Sequence, residues 1–166
     1  HGAFVNPKST AVGFRALYSR QGNALHGNTI GRNTAVGDSA MAWAGFGQSN
    51  VAVGTEALAT VDNGNFNIAI GDSSLAGALN TNGNVAIGYK TLSKQQAQGW
   101  NTAVGYYSQR DSSKSTYYNT SIGAYSMEFN RTGVYNTGLG LSTLRLTDSA
   151  SYNTAVGADA MYFHRK

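Results

Sequence analysis

The stretch Asn101-Thr102-Ala103-Val104-Gly105 returns, with small substitutions, along almost the whole chain of 166 residues. Its closing glycines are separated by 24, 17, 17, 17, 17, 18, 17 and 17 residues. Self-similarity at a fixed short period is typical of stacked, solenoid-like proteins. Given by their first and last residues, the copies are Ser9 and Gly13, Asn33 and Gly37, Asn50 and Gly54, Asn67 and Gly71, Asn84 and Gly88, Asn101 and Gly105, Asn119 and Gly123, Asn136 and Gly140, and Asn153 and Gly157.

Within each copy of this motif the residues alternate in size, and alternation with period two indicates a β-strand. One face carries β-branched or aliphatic residues, such as Ile68 and Ile70, whereas the other carries only small residues, such as Ala69. We predict that the aliphatic face lines the inside of each coil, stacking at the strand spacing of about 4.8 Å. We predict that the small face lies outward, where it allows another copy of the chain to approach closely.

A second pattern follows each closing glycine by three and four residues, where a small residue precedes a larger one, as in Ala57-Leu58. We interpret this pair as a second short strand that forms the opposite wall of a flattened roll. A helical turn is the alternative, but an apolar pattern that continues at spacing 3.6 is missing. The glycine itself is predicted to be a turn position that needs positive φ or close backbone approach, and the variable remainder to form turns or loops.

The spacing divides the chain into two parts. Residues 1–32 form a leading segment with the first coil and an irregular loop, because the segment from Tyr18 to Arg32 breaks the period by seven residues. Residues 33–166 carry the regular repeats. The predicted fold is all-β, a parallel β-solenoid of about nine 17-residue coils.

Composition supports a solenoid over a compact globular core. The chain has 21 Gly, 1 Pro and no Cys, with only 12% charged residues, and a solenoid needs only one or two inward residues per coil. No apolar run approaches the ~20 residues of a membrane span and no charged-then-apolar leader opens the chain, so we expect no membrane insertion.

The net charge of +4 lies in the second half of the chain. Residues 1–89 carry four cations and four carboxylates, and residues 90–166 carry eight cations and four carboxylates. This excess of positive charge in residues 90–166 could attract anionic glycans or nucleic acid through long-range electrostatics. A scattered, solvated surface is the alternative, because no run of adjacent Lys and Arg appears before the last two residues, and we expect no nucleic-acid partner.

Two columns of side chains are predicted from the period. The motif asparagines should form a hydrogen-bonded ladder of structural rather than ligand-binding role. The residue before the asparagine is aromatic in several copies, as at Phe66. Stacked rings would cover the edge of the roll, whereas exposed rings beside Arg110, Arg131 and Arg145 would make a platform for sugars or an anionic glycan. The aromatic candidates in the basic half are Trp100, Tyr118, Tyr135 and Tyr152.

The ionisable residues do not converge as catalysis requires, so we expect no enzyme, no cofactor and no catalytic residues. Asp38 and Asp72 follow motif glycines two coils apart, which suits turn residues better than a glycosidase pair. His1, His26 and His164 are isolated and lack metal-ligand spacing, so we expect no metal site.

The motif Asn-Thr/Val/Ile-Ala-Val/Ile-Gly, followed by x-x-Ala-Leu, resembles two related groups over Ser9 to Met161. One is the repeats of bacteriophage tail fibres and tailspikes, and the other is the head repeats of trimeric autotransporter adhesins. The 17-residue period favours the phage type. The resemblance implies a left-handed β-roll assembled as a homotrimer, located outside the cell or on the virion surface, with further fibre domains or chains at its ends.

Three functions remain open at this stage. The first is a segment of an elongated trimeric fibre, or the head of a bacterial adhesin, that attaches to a cell surface through glycan or another receptor contacted by variable loops. The second is a purely structural rod without a ligand. The third is an ice-binding solenoid, which needs regular threonine columns, and here Val51, Ile68 and Val85 interrupt the column.

Overall fold

The computed structural model of the protein describes residues 8–18, 31–43, 45, 47–95, 99–112 and 116–163. These residues contain no helix, and their nine strands form one parallel sheet in sequence order, so the predicted all-β solenoid is confirmed. The strands are β1 Thr10–Val12, β2 Thr34–Val36, β3 Val51–Val53, β4 Ile68–Ile70, β5 Val85–Ile87, β6 Thr102–Val104, β7 Thr120–Ile122, β8 Thr137–Leu139 and β9 Thr154–Val156.

The strands pair in exact repeat register. Ala52 of β3 lies opposite Ala35 of β2 and Ala69 of β4, and every other pair follows the same rule. The backbone closes each rung on both sides, as where Thr34 N donates to Asn50 O at 2.8 Å and Gly54 N donates to Val36 O at 2.8 Å. Equivalent residues therefore stack in straight columns along the solenoid.

The prediction of which face lies inside is wrong. The small residues of the motif, such as Ala69, are completely buried, whereas Ile68 and Ile70 beside it are 37% and 38% exposed. The residues after each closing glycine explain why the small face is inside, because they place one large side chain per coil, such as Leu58 or Leu75, in the narrow interior. At Gly138 even an added Cβ would lie only 2.8 Å from Thr143 Oγ1 and 3.1 Å from Met127 Cε. The middle residue of each strand is accordingly Ala, Ser or, at position 138, Gly.

The prediction of a second strand is also wrong. The residues after each closing glycine form turns, in which Glu56 and Leu58 both have φ of 53°. Left-handed residues two apart reverse the chain too sharply for a strand, yet they aim Leu58 into the interior, where it is fully buried. The turns still stack by hydrogen bonds, as where Leu58 N donates to Ser74 O at 2.9 Å.

The closing glycine meets both conditions that the sequence indicates. Gly54 has φ of 131°, and an added Cβ would lie 2.7 Å from the carbonyl carbon of Gly71 in the next coil. Only glycine adopts this φ without strain and lets the two backbones approach this closely. The glycine column is therefore the corner where the strand ends and the turn begins.

The irregular segment lies mostly outside the described residues, which resume at Gly31. Gly31 already follows the coil pattern, because its carbonyl accepts a hydrogen bond of 3.1 Å from Ser49 N. Arg32 has φ of 60°, close to the 57° of Ser49 one coil later. The regular stack thus includes the two residues before Asn33.

Candidate functional site

The motif asparagines form the ladder that the sequence predicts. Asn67 N and Nδ2 both donate to Asn50 Oδ1, at 2.8 and 3.0 Å, and Nδ2 also donates to Thr81 O at 2.8 Å. The same pattern repeats along the column, whose side chains are buried between coils except at its last member, Asn153. A buried and fully bonded amide stabilises the stack and has no free surface for a ligand. The members of the ladder are Asn33, Asn50, Asn67, Asn84, Asn101, Asn119, Asn136 and Asn153.

The aromatic column before the asparagines is exposed and self-stacked. Tyr135 lies between Tyr118 and Tyr152, with both centroid distances 5.1 Å and interplanar angles of 21° and 10°. Desolvation by its neighbours raises the pKa of the Tyr135 hydroxyl. Trp100 covers Gly83, whose missing side chain makes room for the indole ring. Only Tyr118, Tyr135 and Tyr152 stack face to face among the described rings of this column, and Tyr152 at the end of the stack is 77% exposed.

The three candidate arginines contact a different set of groups. Arg110 Nη2 and Arg145 Nε bind the two oxygens of Glu128 at 3.0 and 2.8 Å. Arg131 lies between two other carboxylates, 3.9 Å from Asp111 and 3.4 Å from Asp148. Each arginine pairs with a carboxylate, although Arg110 and Arg145 share one, and no described contact brings any of them onto the Trp100 to Tyr152 column.

A second aromatic group lies next to Arg110 and Arg145. Tyr106 contacts Tyr89, Tyr107 and Tyr125 at centroid distances of 5.4, 4.3 and 5.4 Å. We call these four tyrosines, together with Lys90, Arg110 and Arg145, the tyrosine–arginine patch. Sequence reasoning missed it because its rings come from two neighbouring positions after the closing glycine rather than from one column. The run Gly105-Tyr106-Tyr107 is the signal that would have found it.

The outward side of the sheet is a further candidate surface. We call it the sheet face, and it consists of the first and third residue of every strand. The third residues form an unbroken aliphatic column, and several of them are more than one-third exposed. This column contains Val12, Val36, Val53, Ile70, Ile87, Val104, Ile122, Leu139 and Val156.

The acidic residues singled out in the sequence lie in the turns after the closing glycines. Asp38 and Asp72 each accept a hydrogen bond from the serine that follows, Ser39 at 3.0 Å and Ser73 at 2.6 Å. Across the described ranges no three His, Cys, Asp or Glu side chains come together as metal ligands. His1, His26 and His164 lie outside the described residues.

No protein family, no curated protein and no solved structure matches this chain. In the part of the chain that the structure describes, no helix has the length and apolarity to cross a membrane. The fold is that of a β-solenoid repeat protein.

Proposed function

We propose that the chain is a segment of an elongated trimeric fibre, outside the cell or on a virion surface, that attaches to cell-surface glycan. The observation that carries this proposal is the sheet face, whose third-residue column is aliphatic throughout and whose first-residue column is threonine in six of the nine strands. Nine strands of three residues, at about 4.8 Å between strands and 3.3 Å along them, give it a plan area of roughly 400 Å². A continuous aliphatic column, with members such as Ile70 and Leu139 more than one-third exposed, indicates an interaction surface on a soluble protein.

Further copies of the same chain are the partners that fit this face best. The small residues, which sequence reasoning assigned to the partner, are occupied inside the coil. The aliphatic column takes over that role, because columns of Val, Ile and Leu with a regular spacing complement equally spaced columns on an identical chain. Three narrow faces directed at a common axis would cover one another.

The residues that such a trimer leaves exposed are available for attachment to a cell surface. The turns and variable loops of every coil stay exposed, and three copies present each of them three times. Weak contacts to a repeated glycan are then multiplied by avidity. An adhesin head would use the same arrangement, and a purely structural rod would lack the glycan contact.

Ice binding is a second candidate, supported by one observation. The first residues of the last four strands, Thr102, Thr120, Thr137 and Thr154, form an outward column at strand spacing. Val51, Ile68 and Val85 interrupt this column in the first half. Thermal hysteresis in solution, lost on replacing these threonines by serine, would favour ice binding over attachment.

The proposed function is tested by two measurements on the whole chain. Light scattering should give three times the chain mass of 17.4 kDa. The assembled protein, displayed at high valency, should then bind host cells and lose this binding when surface glycans are removed enzymatically. A monomeric mass would contradict the proposal of a trimeric fibre. A trimer that binds no cells would favour the purely structural rod over the attachment protein.

A further inference from the structure

The tyrosine–arginine patch is a continuous surface built by adjacent coils. The Lys90 ammonium lies 5.0 Å from the centroid of the Tyr89 ring, and Tyr89 stacks on Tyr106 at 5.4 Å and 17°. Tyr106 in turn contacts Tyr107 and Tyr125 at steep angles of 63° and 74°. Tyr106 keeps 44% of its surface exposed beside these contacts.

The buried Glu128 carboxylate positions the two arginines of the patch. Its side chain is 4% exposed, and its two oxygens each bind one guanidinium. This pairing fixes Arg110 over the Tyr107 ring and Arg145 over the Tyr125 ring, both at 4.6 Å from the centroid. Burial lowers the pKa of Arg145, but the hydrogen bond and charge of Glu128 outweigh it, so the net pKa is raised. A preorganised surface loses little conformational entropy when it binds a ligand.

The patch carries surplus positive charge. Three cations, Lys90, Arg110 and Arg145, stand against Glu128 and, at the edge, Asp72. The hydrogen bond that the Lys90 ammonium donates to the Tyr89 hydroxyl, and to a lesser extent the charge of Asp72, raise the pKa of Lys90. The neighbouring network of Lys94, Asp111, Arg131 and Asp148 is balanced, with two charges of each sign.

We propose that this patch is the glycan-binding site of the fibre and that it takes an acidic saccharide. The apolar face of one pyranose ring packs on Tyr106, and the sugar carboxylate pairs with the Lys90 ammonium. Aromatic rings with polar tips suit a ligand that has one apolar face and many hydroxyls. A single surplus charge fits one carboxylate and is too small for a nucleic acid, whose affinity depends on many neutralised phosphates. This inference rests on the proposed attachment to glycan.

Two matched pairs of variants test the site on the full-length chain. Lys90→Gln removes the proposed carboxylate partner, and Lys8→Gln makes the same change in net charge at an exposed position in the first coil. Tyr106→Ala removes the proposed platform, and Tyr118→Ala removes a ring of similar exposure, 49% against 44%, from the other aromatic group. The probe is a trisaccharide of galacturonic acid, compared with the neutral galactose trisaccharide, in calorimetric titrations at low ionic strength.

The expected result is binding of the acidic trisaccharide at least tenfold tighter than of the neutral one. Lys90→Gln and Tyr106→Ala should each weaken it about five- to tenfold, with Lys8→Gln and Tyr118→Ala within twofold of the parent chain. No binding, equal binding of both sugars, or a larger effect of either control variant overturns the inference.

Failure of the site and failure of the proposed function give different results. If Lys90→Gln and Tyr106→Ala remain trimeric and bind cells as well as the parent chain, attachment stands and this site is wrong. If the parent chain itself is a monomer that binds no cells, the fibre proposal fails whatever the titrations give.

Discussion

The first and second halves of the solenoid have the same backbone conformation but differ in the side chains that fill the interior. From Ala35 to Ala103 the interior is one cluster of Ala, Leu, Met and Val side chains. Beyond it, hydroxyl pairs such as Ser108 with Ser121 at 2.6 Å and Ser126 with Thr143 at 2.7 Å take the place of alanine, and only a small apolar cluster around Met127 remains. Gln109 separates the two clusters, at a position where Leu92 and Met127 stand one coil before and one coil after.

The hydrogen bonds that hold the coils together are the same in both halves. Asn67 Nδ2 donates to Asn50 Oδ1 at 3.0 Å in the first half, and Asn136 Nδ2 donates to Asn119 Oδ1 at 3.2 Å in the second. The turn bonds are equally constant. We infer that the coil shape comes from the hydrogen-bond ladders and the glycine corners, and that the interior needs only the right volume.

The largest difference between the halves is expected from truncation in the interior. Leu75→Ala should lower the free energy of unfolding by about 2–5 kcal/mol, because it empties a fully buried site in the apolar half. Gln109→Ala at the equivalent position should change it by less than about 1 kcal/mol, since both polar atoms of the Gln109 amide are buried without a hydrogen-bond partner among the described residues. Denaturant titrations at one protein concentration measure both, and equal losses would contradict the contrast.

The next largest effect is expected from the buried carboxylate of the second half. Glu128→Gln should lower the free energy of unfolding by about 1–3 kcal/mol, because two guanidiniums then lose their common partner. The exposed Glu56 in the first half serves as control, and Glu56→Gln should have an effect within about 0.5 kcal/mol. Thermal unfolding midpoints of the two variants compare them directly. Similar midpoints would mean that the Glu128 pair is structurally neutral.

Joining the two apolar clusters should stabilise the protein. Gln109→Leu removes the unpaired amide and restores the aliphatic column, and we expect the free energy of unfolding to rise by about 1–2 kcal/mol. The left-handed φ of 47° at Gln109 is no obstacle, because Leu92 adopts 51° at the same position one coil earlier. A lower denaturant midpoint for this variant would show that the amide has a role in the interior.

The smallest effect is expected from the stacked rings outside. Tyr135→Ala should cost about 0.5–1.5 kcal/mol, because it removes two parallel ring contacts. Phe66→Ala in the first half should cost less, since Gly83 in the next coil offers no ring to stack on. Hydrogen exchange of the neighbouring backbone amides would resolve this difference, and equal protection would contradict it.

Sequence reasoning predicted the strands, the glycine corners and the asparagine ladder, because each is encoded locally and repeated. It failed to predict which face of each strand is buried. Alternation with period two shows that Ile70 and Ala69 lie on opposite faces, but it does not show which of the two faces the interior. The volume of residues such as Leu75 on the opposite wall decides that. The wall itself was misjudged because leucine at φ of 53° follows no familiar turn signal.

The candidate sites were recovered only in part. The exposed column from Trp100 to Tyr152 follows from a single position in the period, and its stacking was foreseeable. The arginines were grouped with it by chain segment, yet they lie five to eight positions after the closing glycine, on another part of each coil. Their true neighbours, such as Tyr107, come from the turn, whose path could not be read without its left-handed residues.

The central claim is that the aliphatic residues of the motif face outward and are covered by further copies of the chain. The most direct test is the solution mass and circular dichroism of Ile87→Asp, with Leu79→Asp as the control at an exposed leucine outside the strands. We predict that Ile87→Asp falls from three chains to one while its β signal is retained, and that Leu79→Asp remains trimeric. An Ile87→Asp chain that keeps the native mass, or one that loses its β signal altogether, would contradict the account.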